Sequence, residues 1–210
     1  MRGLLISFEG IDGSGKSTQY TIFKNRMEEQ GIPYLAMREP GGTEAGEEIR
    51  DVLLQKSFSI AVQTELLLYL AARVELCQQV ISPALTAGKV VLCDRFSDST
   101  LAYQGYGGGL ELRWIRELNI KATGHIAPDI TFLFDLPIED ALKRRGKDPD
   151  RMEAKSSYFH QRVRSGYLDI ASCEPQRVFV IDGLKEAQLQ SKIIWDIVKK
   201  KYGRYFNREA

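Results

Sequence analysis

Short apolar runs punctuate this chain, and text of helical period separates them. Leu4–Glu9 (LLISFE), Tyr34–Met37 (YLAM), Lys89–Cys93 (KVVLC), Ile130–Phe134 (ITFLF) and Val178–Ile181 (VFVI) are dominated by Val, Ile, Leu and Phe. Runs of this length without polar alternation suit strands buried on both faces, as in a parallel sheet. Helical segments are predicted over Lys16–Gln30, closed by Gly31, over Glu44–Gln55, and over Val62–Ala87 with a bend at Pro83. Others are predicted over Ile138–Arg145, Ser156–Ile170 and Glu186–Lys201. Strand and helix alternating in this way give βαβ units. The expectation is a three-layer α/β fold, a five-stranded parallel sheet with helices on both faces. No internal repeat or low-complexity linker interrupts the chain. The tail after Lys199 is basic and rich in tyrosine, and is predicted to be a solvated end.

Composition narrows the picture by exclusion. The 210 residues fit a single domain, spanning 1–210. Lys and Arg number 29 against 28 Asp and Glu, so the net charge is +1. Such a balance points away from general nucleic-acid or membrane binding, and phosphate recognition would have to come from a local basic cluster. No apolar run reaches membrane-spanning length, and the N-terminal run is too short for a signal-peptide core, so cytoplasmic residence is expected. Cys77, Cys93 and Cys173 lie far apart and form no CxxC pair, which suits small buried hydrophobes in a reducing compartment. His125 and His160 stand alone and are read as structural or surface groups.

One segment carries explicit chemistry. Gly10-Ile11-Asp12-Gly13-Ser14-Gly15-Lys16-Ser17 satisfies GxxxxGK[ST], with a predicted strand before it and a helix after it. Glycines let backbone N–H groups turn inward toward phosphate oxygens. The helix N-terminus, from Lys16 through Thr18, adds unpaired N–H groups and a positive dipole end. Lys16 is placed to reach the β- and γ-phosphates of a nucleoside triphosphate, and the Ser17 hydroxyl to ligate Mg²⁺. This makes the expected architecture a P-loop NTPase fold. GTPases, ATP-driven motors and small-molecule kinases share the loop, so it does not name what receives the phosphate.

Three features point to a nucleotide acceptor. Arg38-Glu39-Pro40-Gly41-Gly42-Thr43 follows the second strand, where open α/β sheets bind ligands, and Arg38 there can hold an anion. Asp94-Arg95 ends the third strand: Asp94 can hold Mg²⁺ through water or orient the attacking oxygen, and Arg95 can neutralise phosphate charge. Tyr69 and Arg73, four apart on a predicted helix, offer a ring and a guanidinium on one face for a base.

Together, FEGIDGSGKST, REPGGT, YLAAR, DRFSDSTLAYQG and DRME (Asp150–Glu153) occur in the order and with the spacing of thymidylate kinases, which the chain resembles over nearly its whole length. The resemblance implies transfer of the γ-phosphoryl group of ATP to thymidine 5′-monophosphate (dTMP), with Mg²⁺. It places Asp12 near the sugar 3′-hydroxyl, and Arg38, Arg73 and Arg95 around the acceptor phosphate and thymine carbonyl. Tyr69 would stack on thymine, Gln104 would bond near thymine N3, and Tyr103 would crowd the sugar 2′ position. Ser99 and Tyr103, four apart in the helix after the third strand, share a face. The resemblance also implies a homodimer built on apolar helices such as Val62–Ala87.

A basic, Gly- and Pro-containing stretch, Lys143 to Arg151, opens a predicted mobile lid at about 143–155. Phosphoryl transfer needs spread negative charge neutralised, and an arginine delivered on closure supplies that. Some thymidylate kinases carry an arginine inside the phosphate loop; here the position is Gly13. This resembles the bacterial type, which draws its catalytic arginines from the lid. Arg151 is the preferred candidate, ahead of Arg144 and Arg145. Alternatives within the same fold are a kinase for another nucleoside monophosphate or for a deoxynucleoside. A nucleotide-dependent switch is the alternative of another class, against which stands the lack of an Asn-Lys-x-Asp motif after the fourth strand.

Overall fold

In a computed structural model of the chain, residues 2–146 and 148–206 are described. Lys147 of the basic lid run and residues 207–210 of the tail lie outside them. Five strands, β1 (Leu4–Gly10), β2 (Tyr34–Arg38), β3 (Val90–Asp94), β4 (Ile130–Asp135) and β5 (Val178–Asp182), form one sheet in the order β2-β3-β1-β4-β5. Every pairing is parallel.

Each central strand sends alternate side chains to opposite faces, and both faces are covered. Leu4, Ile6 and Phe8 of β1, Val90 and Leu92 of β3, and Ile130, Phe132 and Phe134 of β4 share one core. That core is closed by Phe23 and Met27 of α1 (Lys16–Glu29) and by Ile194, Trp195 and Val198 of α9 (Ala187–Phe206). Leu5, Val91 and Cys93 face the other way, onto the helices that follow β2. This two-sided burial is why the runs carry no polar alternation.

Between β2 and β3 lie α2 (Glu44–Leu54), α3 (Val62–Leu76), a π-helical segment Cys77–Ile81, and α4 (Ser82–Thr86). The predicted single helix Val62–Ala87 is thus continuous but widened before Pro83. Proline lacks an N–H and crowds the carbonyl one turn back, and a π turn is one way to relieve that. After β3 come α5 (Ser97–Thr100), a second π-helical segment Leu101–Gly107, and α6 (Leu112–Ala122). Then α7 (Ile138–Arg144) leads into the lid and α8 (Ser157–Cys173) back to β5.

Two expectations change. Cys77 and Cys93 are buried, but Cys173 is exposed at the end of α8. The tail through Phe206 is not a free end. The Tyr202 hydroxyl donates to the Asp129 carbonyl at 2.8 Å, the Tyr205 hydroxyl to the Arg2 carbonyl at 2.5 Å, and Phe206 packs edge-on to Trp195. Its basic residues hid an aromatic stripe that seals the first core.

Candidate functional site

The chemistry gathers at the carboxyl edge of the sheet, where β1, β2 and β3 end side by side. Phe8 and Arg38 both register against Asp94. The phosphate loop leaves β1 through Gly10, Gly13 and Gly15, all at positive φ. Gly13 is needed for a second reason: a Cβ there would meet the Ala141 carbonyl oxygen at 2.2 Å. Helix α7 therefore packs straight onto the loop. Its last turn carries Arg144, which lines the loop cavity together with residues 11–18 and donates to the Gly183 carbonyl at 2.9 Å.

The loop has the features of an anion cradle. Helix α1 starts at Gly15 with no side chain capping its first N–H groups. The Ser14 hydroxyl is buried and has no hydrogen-bond partner among the described residues. Lys16 is buried and ion-pairs with Asp94. Burial, and then Arg95, lower the Lys16 ammonium from its ordinary value against the pull of Asp94. Mg²⁺ prefers hard oxygen ligands and keeps most of its waters and phosphates. The Ser17 hydroxyl and Asp94 carboxylate fit that demand, and no cluster of three or more candidate protein ligands occurs among the described residues. They suit an ion carried in by a nucleotide.

A second cavity, about 250 Å³, lies between this edge and helices α2, α3 and α5. Its lining joins ten of the residues singled out above: Asp12, Lys16, Ser17, Arg38, Tyr69, Asp94, Arg95, Ser99, Tyr103 and Gln104. Arg95 is its centre. Held at φ 72°, Arg95 donates to Asp12 Oδ1 at 2.6 Å and to the Gly10 carbonyl at 2.9 Å. Tyr103 donates to Asp12 Oδ2 at 3.3 Å. Burial alone would raise the Asp12 carboxyl; Arg95, then Lys16, hold it below its ordinary value. Arg38 reaches the cavity from β2, pairing meanwhile with Glu47 at 2.8 and 2.9 Å.

Two arginines are not where the sequence placed them. Arg73 is 1 % exposed and does not line the cavity. Its guanidinium binds Glu39 through Nε and Nη2, Thr100 and Asn119 through Nη1, and the Phe96 carbonyl through Nη2. Those bonds use its five donors. Arg151 lies away from the phosphate loop, donating to Glu65 at 2.6 Å and to the Leu53 carbonyl at 2.7 Å. Arg144 is the lid arginine at the loop, and Arg145 sits over it, donating to the Asp12 carbonyl at 3.4 Å. The lid itself is pinned: Met152 is buried in the core, and Asp150 Oδ1 accepts from the amides of Met152 and Glu153.

Several contributors were missed. Arg50 of α2 lines this second cavity, and nothing in its local sequence marks it. Glu9 is fully buried and accepts from the Phe96 amide at 2.6 Å, Ser99 at 2.6 Å and Tyr167 at 2.8 Å. It thereby holds the turn that aims Arg95. Burial and then Asp98 push its carboxyl up, against Arg95 and the hydroxyl donors. A charged residue inside the apolar run LLISFE was the available signal. Glu65, one turn before Tyr69 on α3, is the third.

A family model described as thymidylate kinase matches residues 8–193. The chain belongs to the thymidylate kinase family. Similar relatives include the thymidylate kinase of Kosmotoga olearia, 45% identical over 199 residues covering 94% of each chain. That of Symbiobacterium thermophilum is 47% identical over 205 residues, covering 97% of this chain and 96% of its own. Among solved structures, thymidylate kinase from Ehrlichia chaffeensis superposes with a TM-score of 0.79 at 35% identity, covering 94% of this chain and all of the other. The family's parallel α/β architecture is the one described above. No helix among the described residues is long and apolar enough to cross a membrane.

Proposed function

We propose that the protein is a dTMP kinase, transferring the γ-phosphoryl group of ATP to dTMP and giving ADP and thymidine diphosphate. One observation carries this reading. The loop cavity and the acceptor cavity share a wall formed by Asp12, Lys16 and Ser17. Two nucleotides bound on either side meet at Lys16, which is what in-line transfer between them requires.

The acceptor phosphate is already an anion, so no strong base is needed. Arg95, anchored on Asp12 and the Gly10 carbonyl, stands in the acceptor cavity with Arg38 and Arg50 to hold that phosphate. Lys16 stabilises the migrating group, and Asp94 releases it from their ion pair. Mg²⁺, held by Ser17 and Asp94, would neutralise charge on the donor phosphates. Arg144, carried by α7 to the loop, is the catalytic arginine in this reading, and Asp150, Met152 and Glu153 of the lid cover the cavity beside it and help to exclude water. Tyr69 and Gln104 receive the base, and Tyr103 beside Asp12 leaves little room at the sugar. Arg73 is a positioning residue that braces Glu39, Thr100 and Asn119 beneath the cavity.

The reading includes cytoplasmic residence, where nucleotide pools lie, and a homodimer. Helices α3 and α6 pack together and expose Leu67, Trp114 and Ile120, which supports the latter. Sedimentation at micromolar concentration tests it. The activity is tested by offering a panel of nucleoside and deoxynucleoside monophosphates, and thymidine, with labelled ATP and Mg²⁺. dTMP is expected to be phosphorylated with the highest kcat/KM. A different preferred acceptor, or ATP hydrolysis without acceptor stimulation, overturns it.

A further inference from the structure

Glu65 is the least expected group beside the acceptor cavity. It is a carboxylate with 0% exposure in the first turn of α3, and the reaction proposed above gives it no role. Its two oxygens face different partners. Oε1 accepts from the side-chain Nε2 of Gln104 at 2.8 Å. Oε2 accepts from Arg151 at 2.6 Å, with the Lys155 ammonium 3.6 Å away. Gln104 is itself buried, yet it lines the cavity.

A glutamine amide is nearly symmetric in shape but opposite in hydrogen-bonding sense at its two ends. Left alone in a cavity, it can present either oxygen or NH₂ by rotating half a turn. A carboxylate bound to cations can only accept. Glu65 therefore pairs with the NH₂ end alone, and the Gln104 oxygen is the end left for a ligand. Reversal would set amide oxygen against carboxylate oxygen in a buried place, the kind of unpaired contact that costs most.

We propose that Glu65 is a positioning residue that locks the Gln104 amide with its oxygen toward the acceptor base, so that the site selects bases carrying a ring N–H. This rests on the reading that the acceptor base lies against Gln104. Thymine and uracil carry N3–H, which the oxygen accepts. Cytosine presents a bare N3 acceptor there and is repelled. Selectivity of this kind comes from rejecting the wrong partner as much as from holding the right one. Arg151 and Lys155 bring the lid into the same device: they hold Glu65 from the side opposite Gln104.

The test is acceptor discrimination in Glu65→Gln. Its amide can both donate and accept, so the Gln104 amide is free to turn. The dTMP-to-dCMP ratio of kcat/KM should fall at least about tenfold, the tenfold that 1.4 kcal/mol represents. The dTMP-to-dUMP ratio, which does not depend on N3, should stay unchanged. Calorimetric binding of the same three monophosphates without ATP should show the same pattern. A role in packing alone would lower the melting temperature and leave both ratios where they are; a folded variant that keeps its discrimination against dCMP overturns the proposal. Because Glu65→Gln leaves Arg151 without its anion, the charge-balanced double variant Glu65→Gln/Arg151→Gln is the second arm, with the same expected ratios. On the wild-type protein, a neutron structure of the dTMP complex should place the Gln104 deuterons toward Glu65, and the reverse orientation overturns the proposal by itself. Failure of the acceptor reading is distinct: the wild-type enzyme would then prefer a base other than thymine before any substitution is made.

Discussion

The two cavities that meet at Lys16 are held by different kinds of group. On the donor side the walls are mostly backbone: positive-φ glycines, the free N–H groups at the start of α1, and a helix brought close because Gly13 has no side chain. In the cavity proposed for the acceptor the walls are mostly side chains from several elements. Glu9 aims the turn of Arg95, Glu65 holds Gln104 and Glu47 holds Arg38, while behind the lining Glu39 holds Arg73. A phosphate offers the same charge and oxygens whatever nucleotide carries it, so repeated backbone donors suffice. A base is distinguished by which atoms donate and which accept, and only oriented side chains can oppose that pattern.

This contrast can be broken at several points. The largest effect is expected behind the acceptor wall. Arg73→Leu leaves buried Glu39 without its cation, and breaking such a pair costs about 3–5 kcal/mol. Chemical denaturation should show that loss, with the KM for ATP little changed in the folded fraction. At the shared wall, Lys16→Ala should lower turnover by about 10²–10³, as for the loss of one preorganised donor, with little change in melting temperature. Near-normal turnover would show that the wall is not where transfer occurs.

Next in size is the division between the lid arginines. Arg144→Ala should lower kcat by about tenfold to a hundredfold, the 1.5–3 kcal/mol of a bond to a charged group. Arg151→Ala should instead raise the KM for the monophosphate, leaving that for ATP alone. Steady-state kinetics varying each nucleotide separates them, and a kcat loss confined to Arg151→Ala reverses the assignment. Gly13→Ala sharpens the donor side: the left-handed backbone alone disfavours it by roughly 1–2 kcal/mol, before the contact with Ala141. ATP affinity by calorimetry should fall while dTMP affinity holds.

The smallest effect is at the rim. Glu47 and Arg38 are both substantially exposed, so their pair is worth about 0.2–1 kcal/mol. Glu47→Gln frees Arg38 and should tighten dTMP binding by less than about fivefold. Arg38, then the Gly42 amide, hold the Glu47 carboxyl down to about 2 from 4.5. The stability it contributes is therefore complete above pH 4.5 and is lost as pH falls toward 2, a slope that Glu47→Gln should flatten in acid titration.

The donor side was legible because its signal is local. Eight consecutive residues specify glycine conformations, a helix start and a lysine, and no distant contact is needed to read them. The acceptor side was legible in its lining and obscure in its supports. Tyr69, Arg95, Ser99, Tyr103 and Gln104 line one cavity, whereas Arg73 and Arg151 lie outside that lining and pair with buried carboxylates. A guanidinium looks the same in sequence whether it faces a ligand or a buried carboxylate. Arg73 is committed by Glu39, 34 positions earlier, and Arg151 by Glu65, 86 positions earlier. The tail was misjudged for a related reason: Tyr202, Tyr205 and Phe206 cover a core made by β1, α1 and α9, which basic composition conceals.

By itself the sequence determined the sheet and its burial on both faces, the helices around it, and the phosphate loop, since each depends on residues a few positions apart. It also placed the chain among the thymidylate kinases. Tertiary structure alone decided which arginine stands at the loop, which carboxylates aim the acceptor groups, and that the two cavities share Lys16. Those are matters of charge pairing at a distance. Coulombic and hydrogen-bond partners are chosen by proximity after folding, and proximity between α3, the lid and the π-helical turn after β3 is set by packing that no local pattern encodes.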